Sequence, residues 1–280
     1  MARIRVVTDS ACDLSADVAA EHGITIVPLS IRFGDEEFVD GRDLTTEEFW
    51  ARCKASAVLP ETAAPSPGAF QEAFLAAAAE GYDGVLSLSL SGGVSATYQS
   101  AVAAAKAVAD RIEVRTVDSR TMTMSLGLMA LDVADLAAGG ADLDTLEARA
   151  KVLIPRTSVY GAVENLDHLE KGGRIGGAKA LLGSLLSIKP VVTLVNGEVA
   201  EESKQRTRGR SLQYLADKVL NSAPLSRVAV AHGAATDLDT FLDLLKDVKS
   251  EHPLIVSQLG PVIGTHTGPG TMGICMVTVD

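Results

Sequence analysis

Strand and helix signals alternate through the first half of this chain, and that alternation limits the fold more than any single motif does. Residues 4–7 read as a buried strand ending in Thr8-Asp9-Ser10. Ser15 is placed to cap a helix that stops at Gly23. Residues 24–33 read as one strand, and Gly34-Asp35 as a turn into 37–39. Thr45 and Glu48 form a capping box for a helix to about Lys54. A loop over 59–66 ends at Ser66, which caps a helix with Pro67 at its first position. Residues 85–90 make a strand, 91–95 a glycine turn, 96–109 a helix and 112–117 a strand. A methionine-rich helix and another through about Leu153 follow. Such alternation implies an α/β fold with a parallel, doubly wound sheet.

From about Pro155 the texture changes. Residues 157–163 are strand-like, a short helix over 166–170 ends at Gly172-Gly173, and Asn196-Gly197 joins 191–195 to 198–202 as a hairpin. A helix to Leu220, a strand to Ala231, an acidic helix over 238–249, a strand over 254–258 and a last strand to Val279 complete the pattern. The expectation is two domains: 1–155 with the parallel sheet, and 156–280 with a mixed or antiparallel sheet and helices.

The most distinctive run is Gly264-Thr265-His266-Thr267-Gly268-Pro269-Gly270, one imidazole between two threonines. Glycine permits close backbone approach and proline stiffens, so the run reads as a rigid loop forming a polar cradle. His266 has three readings: metal ligand, base or hydrogen-bond donor. No H-x-x-H, H-E-x-x-H or carboxylate cluster accompanies it, which favours a donor to an anion. Ser95 follows a strand and the Gly92-Gly93 pair and precedes a helix, so it serves as an N-cap or as an anion contact at a helix start. Thr62 lies between Pro60 and Pro65, its hydroxyl open to a ligand or to neighbouring backbone. Thr8-Asp9-Ser10 sits at the carboxyl end of the first strand, where open α/β sheets bind ligands, although polar turn residues are ordinary there. Arg174 and the run Lys204-Gln205-Arg206-Thr207-Arg208-Gly209-Arg210 are candidate phosphate or partner contacts, or solvated faces.

Composition narrows the guest. Net charge is −11 and aromatics are 4%, which argues against nucleic acid and against an anionic membrane surface. Neither G-x-x-x-x-G-K-[ST] nor a G-x-G-x-x-G after a strand occurs, so no ATP or NAD site is expected. Cys12, Cys53 and Cys275 have no metal or C-x-x-C spacing and read as idle thiols in a reducing compartment. The first residues enter a strand directly, with no signal-peptide stretch, and a cytoplasmic protein is expected.

In order along the chain, Thr8-Asp9-Ser10, Pro60-x-Thr62-x-x-Pro65-Ser66, Ser95-Ala96-Thr97-Tyr98-Gln99, Asp118-Ser119, Gly172-Gly173-Arg174-Ile175, Ile188-Lys189-Pro190 and the His266 run resemble the DegV family of bacterial fatty-acid-binding proteins. The resemblance spans the whole chain. It implies two α/β domains with a long-chain fatty acid buried between them and its carboxylate on Thr62, Ser95 and His266. It also implies further contacts from Ser10, Ala96, Thr97, Thr265 and Gly268, and kinase docking through Arg174 and Arg206. The family's partners are an ATP-dependent fatty acid kinase, which phosphorylates the bound carboxylate, and an acyltransferase that takes the acyl-phosphate into phospholipid synthesis. No cofactor or metal is implied. The chain departs from the family at Ala63-Ala64, where a Ser-Gln pair is common, at Gly92, where serine is usual, and at Ala96, where glycine is usual. These changes are expected to thin the polar network behind the carboxylate.

Physical chemistry suits such a ligand. Hydrogen bonds to a charged group give about 1.5–3 kcal/mol each, much of it offset by desolvation. An alkyl chain of ~16 carbons gives on the order of 10 kcal/mol on burial. The tail therefore sets affinity and the polar groups set register. The run from Thr121 to Met129 is the candidate wall, because methionine adapts to irregular surfaces. Two other readings compete. Gly93-Val94-Ser95-Ala96-Thr97 is one residue short of the G-x-S-x-G nucleophile elbow, so a serine hydrolase using Ser95 and His266 is the alternative. A carboxylate sensor signalling through the basic run is the third.

Overall fold

In the computed structural model, which describes residues 2–56, 58–181 and 188–279, the chain is α/β and built on two main sheets. The first half runs β1 (Ile4–Asp9), α1 (Ala16–Glu21), β2 (Ile24–Val27), β3 (Ser30–Phe33), β4 (Glu36–Val39), α2 (Thr46–Ala55), β5 (Glu61–Ala63), α3 (Pro67–Ala79), β6 (Gly84–Ser89), α4 (Thr97–Ala107), β7 (Glu113–Asp118), α5 (Thr123–Ala138) and α6 (Leu143–Leu153). After a short turn at Ile154–Arg156 come β8 (Thr157–Ala162), α7 (Asp167–Lys171), β9 (Lys189–Val195), β10 (Glu198–Gln205), α8 (Arg208–Leu220), β11 (Leu225–His232), α9 (Leu238–Leu244), β12 (Ile255–Gln258), α10 (Pro261–Thr267) and β13 (Met272–Thr278).

The first sheet has the order β2-β1-β6-β7 and is wholly parallel. The second, β10-β9-β8-β13-β11-β12, is antiparallel except between β11 and β12. A small antiparallel sheet, β4-β3-β5, is an addition that the sequence reading did not separate. The single strand expected over 24–33 is two strands. Pro28 has no N–H to continue a ladder, so β2 stays in the parallel sheet while β3 leaves for the small one. The loop expected over 59–66 contains β5, paired to β3 with Thr62 opposite Ile31.

The helix caps expected at Ser15, Thr45 and Ser66 form. Ser15 accepts from Val18 N, Ser66 accepts from Ala69 N, and Thr45 and Glu48 bond reciprocally. Asn196 and Gly197, both at positive φ, turn the β9–β10 hairpin.

α5 joins the two main sheets. Twelve consecutive residues from Thr123 to Ala134 are buried, because the helix packs against β1 on one side and β11 and β13 on the other. One core accordingly contains Val6 and Leu86 from the parallel sheet together with Ala229, Cys275 and Val277 from the mixed sheet. The methionine-rich run is therefore mostly core: Met124 and Met129 are fully buried in it, and Met122 and Thr123 alone of that run reach the cavity described below. No described helix is long and apolar enough to cross a membrane.

Candidate functional site

The parallel sheet reverses its winding between β1 and β6, and such switch points open a crevice at the strands' carboxyl ends. The mixed sheet closes over this crevice and leaves a cavity lined from both halves of the chain. Leu90, Val94 and Met122 from the first half line it together with Val159, Val192 and Leu194 from the second. Gly161 of β8 and Gly273 of β13 are register partners on its wall, so the sheet face there carries no side chain. The lining is predominantly aliphatic, as a site for an apolar ligand requires.

Thr62, Ser95, Arg174 and His266 are polar residues on the same wall. Thr62 Oγ1 lies 2.9 Å from His266 Nε2. The Arg174 guanidinium donates from Nε to the carbonyl of Val94, next to Ser95, and from a terminal nitrogen to the carbonyl of Gly172. Burial, then the Arg174 charge, then His168 depress the His266 imidazole to about 4, so the ring is neutral at pH 7. Its Nδ1 is buried with no hydrogen-bond partner among the described residues, and Gly172 packs against it. A proton on Nδ1 would be a buried donor with no acceptor. Placed on Nε2, it donates to Thr62 Oγ1 and leaves the Thr62 hydroxyl proton free for an acceptor in the cavity.

His266 is carried differently from the expected loop. Pro261–Thr267 is a helix with Pro261 at its start and Gly268, at φ 76, closing it; only Gly268-Pro269-Gly270 is loop. The Thr265 hydroxyl donates to the Pro261 carbonyl at 2.8 Å and is turned away from the cavity, whereas Thr267 lines it. Ser95 is not the helix cap. Ala96 occupies that position without a side-chain bond, and Ser95 Oγ accepts from Thr97 N at 3.3 Å and meets Thr97 Oγ1 at 2.8 Å.

Of the further contacts expected, Ser10, Ala96, Thr97, Thr265 and Gly268 do not line the cavity. Ser10 Oγ accepts from Leu29 N and bonds Asp40, Thr97 is buried behind Ser95, Ala96 is exposed, and Gly268 packs on His168. The two arginines separate: Arg174 is part of the cavity wall, and Arg206 is exposed on the surface. Ala63 is exposed and Ala64 is not on the cavity wall. A Cβ at Gly92 would lie 2.9 Å from Asp118 Oδ2, the carboxylate that accepts from Gly92 N.

Asp13 and His168 carry no signal in the sequence, and Asp9, expected near a ligand, is instead a structural anchor. The Asp13 carboxylate accepts from Gly260 N at 2.9 Å, at the start of α10, and from Thr123 Oγ1 at 2.6 Å, at the start of α5. Its backbone carbonyl accepts from Ser257 Oγ. Burial pushes this carboxyl up to about 7. Asp9, also raised to about 7 by burial, accepts from Ala11 N and Leu90 N and fixes the end of β6. His168 Nδ1 lies 3.0 Å from the Thr265 carbonyl. Nothing in the spacing of these residues signals such partners, which lie 110 and 247 residues away from Asp13. From the opposite side, Ser91 Oγ donates to the Gly197 carbonyl at 2.6 Å, docking the β9–β10 hairpin on the turn that bears Ser95.

The fold is shared by known proteins. The profile described as an uncharacterised protein of the DegV family matches residues 3–279. A DegV domain-containing protein of Streptomyces coelicolor is 38% identical over 276 residues, covering 97% of each chain. A solved DegV family protein from Thermus thermophilus, described by its fatty acid binding, superposes with a TM-score of 0.90 at 32% identity, over 99% of this chain and 100% of that one. DegV of Bacillus subtilis, a fatty acid binding protein, superposes at 0.86 with 30% identity over all of both chains.

Proposed function

The chain belongs to the DegV family, and from that premise we propose that it binds a long-chain fatty acid in the cavity between residues 1–155 and 156–280, taken as two domains. The observation that carries the reading is a predominantly aliphatic cavity whose wall includes Ser95 and the hydrogen-bonded Thr62–His266 pair. The Thr62 hydroxyl, oriented by the neutral His266 ring, and the Ser95 hydroxyl donate to the carboxylate. Arg174 adds positive charge nearby. Two neutral donors and one cation offset the desolvation of a single anionic head, while the tail fills the aliphatic part. The test is denaturing extraction of the purified, lipid-exposed protein followed by mass spectrometry. Recovery of a long-chain acid at about one per chain supports the reading, and recovery of none contradicts it.

The finer reading follows the family resemblance. The carboxylate is presented to a separate ATP-dependent kinase in the cytoplasm, which returns acyl-phosphate for an acyltransferase of phospholipid synthesis. The chain has no G-x-x-x-x-G-K-[ST], and its one G-x-G-x-x-G spacing, Gly268 to Gly273, runs from a helix into a strand and not from a strand into a helix, in keeping with an ATP site on the partner; exposed Arg206 is the docking residue we assign to that encounter. Incubation of the loaded protein with ATP yields acyl-phosphate only when the kinase is added.

The hydrolase alternative is the weaker one. Ser95 Oγ bonds Thr97, His266 bonds Thr62, and no carboxylate among the described residues orients Nδ1 of His266. A nucleophile, base and orienting acid in sequence are what that chemistry needs.

A further inference from the structure

We propose that Phe49 and Trp50 are positioning residues for the Thr62–His266 pair, acting through a glycine socket at Gly264. The role in ligand binding rests on the fatty-acid reading above; the geometry does not. Phe49 is fully buried on α2. Its ring meets Phe33 of β3 at a centroid distance of 6.0 Å, and β3 pairs with β5, which bears Thr62. The same ring faces α10, which bears His266: a Cβ on Gly264 would lie 2.6 Å from Phe49 Cε1. Phe49 is thus a wedge between the strand pair that holds Thr62 and the helix that holds His266.

Trp50 fixes the helix along its axis. Its indole N–H donates to the Leu259 carbonyl at 3.0 Å, just before the helix begins, and its six-membered ring lies 2.8–2.9 Å from where a Gly264 Cβ would stand. The same ring also covers Gly233. The two aromatic rings pack edge to face at 5.0 Å. Gly264 lies inside the helix and has no positive φ, so its lack of a side chain serves this close approach and not a special backbone conformation. Any added or removed ring volume shifts α10 against β5 and changes the hydrogen bond between Thr62 and His266.

The variants are Trp50→Phe, Phe49→Leu and Gly264→Ala, each checked for a wild-type circular dichroism spectrum. Two readouts separate positioning from a general structural role. The first is the His266 ring titration followed by NMR in the ligand-free protein. The second is the affinity for hexadecanoic acid against hexadecan-1-ol, which share a tail and differ in the head. The expected result is a His266 titration moved up from about 4 towards the ordinary value of 6.5, with acid affinity falling about tenfold and alcohol affinity changing less than about twofold. Folded variants with an unmoved titration, or with equal losses for acid and alcohol, overturn the proposal. If the wild-type protein binds neither probe, the fatty-acid reading fails while the titration still decides the positioning. If one variant does not fold, the other two carry both readouts.

Discussion

Thr62 and His266 are 204 residues apart in the chain and 2.9 Å apart in the fold. One stands on a three-residue strand of the small sheet, the other on a seven-residue helix that lies between β12 and β13 in the chain. Their hydrogen bond joins the two halves of the chain on the cavity wall. Neither half contains the site alone, and the proposed headgroup clamp exists only when both are assembled.

His266→Ala removes the donor that orients Thr62. Affinity for hexadecanoic acid falls about 10-fold or more, as expected from about 1.5–3 kcal/mol for a hydrogen bond to a charged group. Affinity for the corresponding alcohol, whose head carries no charge, falls less. Isothermal titration with both ligands measures the split.

The His266 ring stays neutral from pH 8 down to about pH 5, because burial and the Arg174 charge hold it near 4. NMR of the ring nitrogens shows a proton on Nε2 and none on Nδ1 across that range. Replacing Arg174 by Gln removes the second of those causes and moves the titration upward.

Ser95→Ala weakens acid binding by roughly the same amount as a single hydrogen bond to a charged acceptor. A fluorophosphonate probe leaves Ser95 unlabelled, since its hydroxyl is hydrogen-bonded to Thr97 and no base contacts it among the described residues. Labelling at Ser95 restores the hydrolase reading.

Asp13 makes stability depend on pH in a definite direction. Its carboxyl is raised from 3.8 to about 7 by burial, so the folded protein holds more protons than the unfolded chain between those values. That contribution is fully present below about pH 4 and is lost as pH rises through 7. Asp13→Asn removes it. The drop in urea stability from pH 5 to pH 8 is therefore larger in the wild type than in the variant, by on the order of 2 kcal/mol.

Gly93→Ala tests the docking of the hairpin on the turn. The added Cβ would lie 2.6 Å from the Gly197 carbonyl oxygen, a backbone atom that must move. The expected loss is about 1–3 kcal/mol of stability, read by urea unfolding, with weaker binding because the same turn carries Ser95.

What was legible in the sequence was local. The alternation of strands and capped helices gave the parallel sheet, because Ser15, Thr45 and Ser66 act on backbone groups within three residues. Pro28 was visible but its consequence was not: whether a proline bends a strand or transfers it to another sheet depends on the partner strand, here β5, which has only three residues. The glycines and proline of the His266 run predict a loop, yet Pro261 at a first helical position and packing on Phe49 and Trp50 make its first part, to Thr267, a helix. Thr62, Ser95 and His266 stand out by their hydroxyls, ring and turn context, and all three lie on the cavity wall; Asp13, His168, Phe49 and Trp50 carry no such signal, because their contacts come from tertiary partners.

The most direct measurement is a crystal structure of the protein saturated with hexadecanoic acid. The account predicts the tail inside the aliphatic cavity and the carboxylate within about 3 Å of both Thr62 Oγ1 and Ser95 Oγ, with the Thr62–His266 hydrogen bond retained. A carboxylate pointing away from these residues, or an empty cavity at saturating ligand, contradicts it.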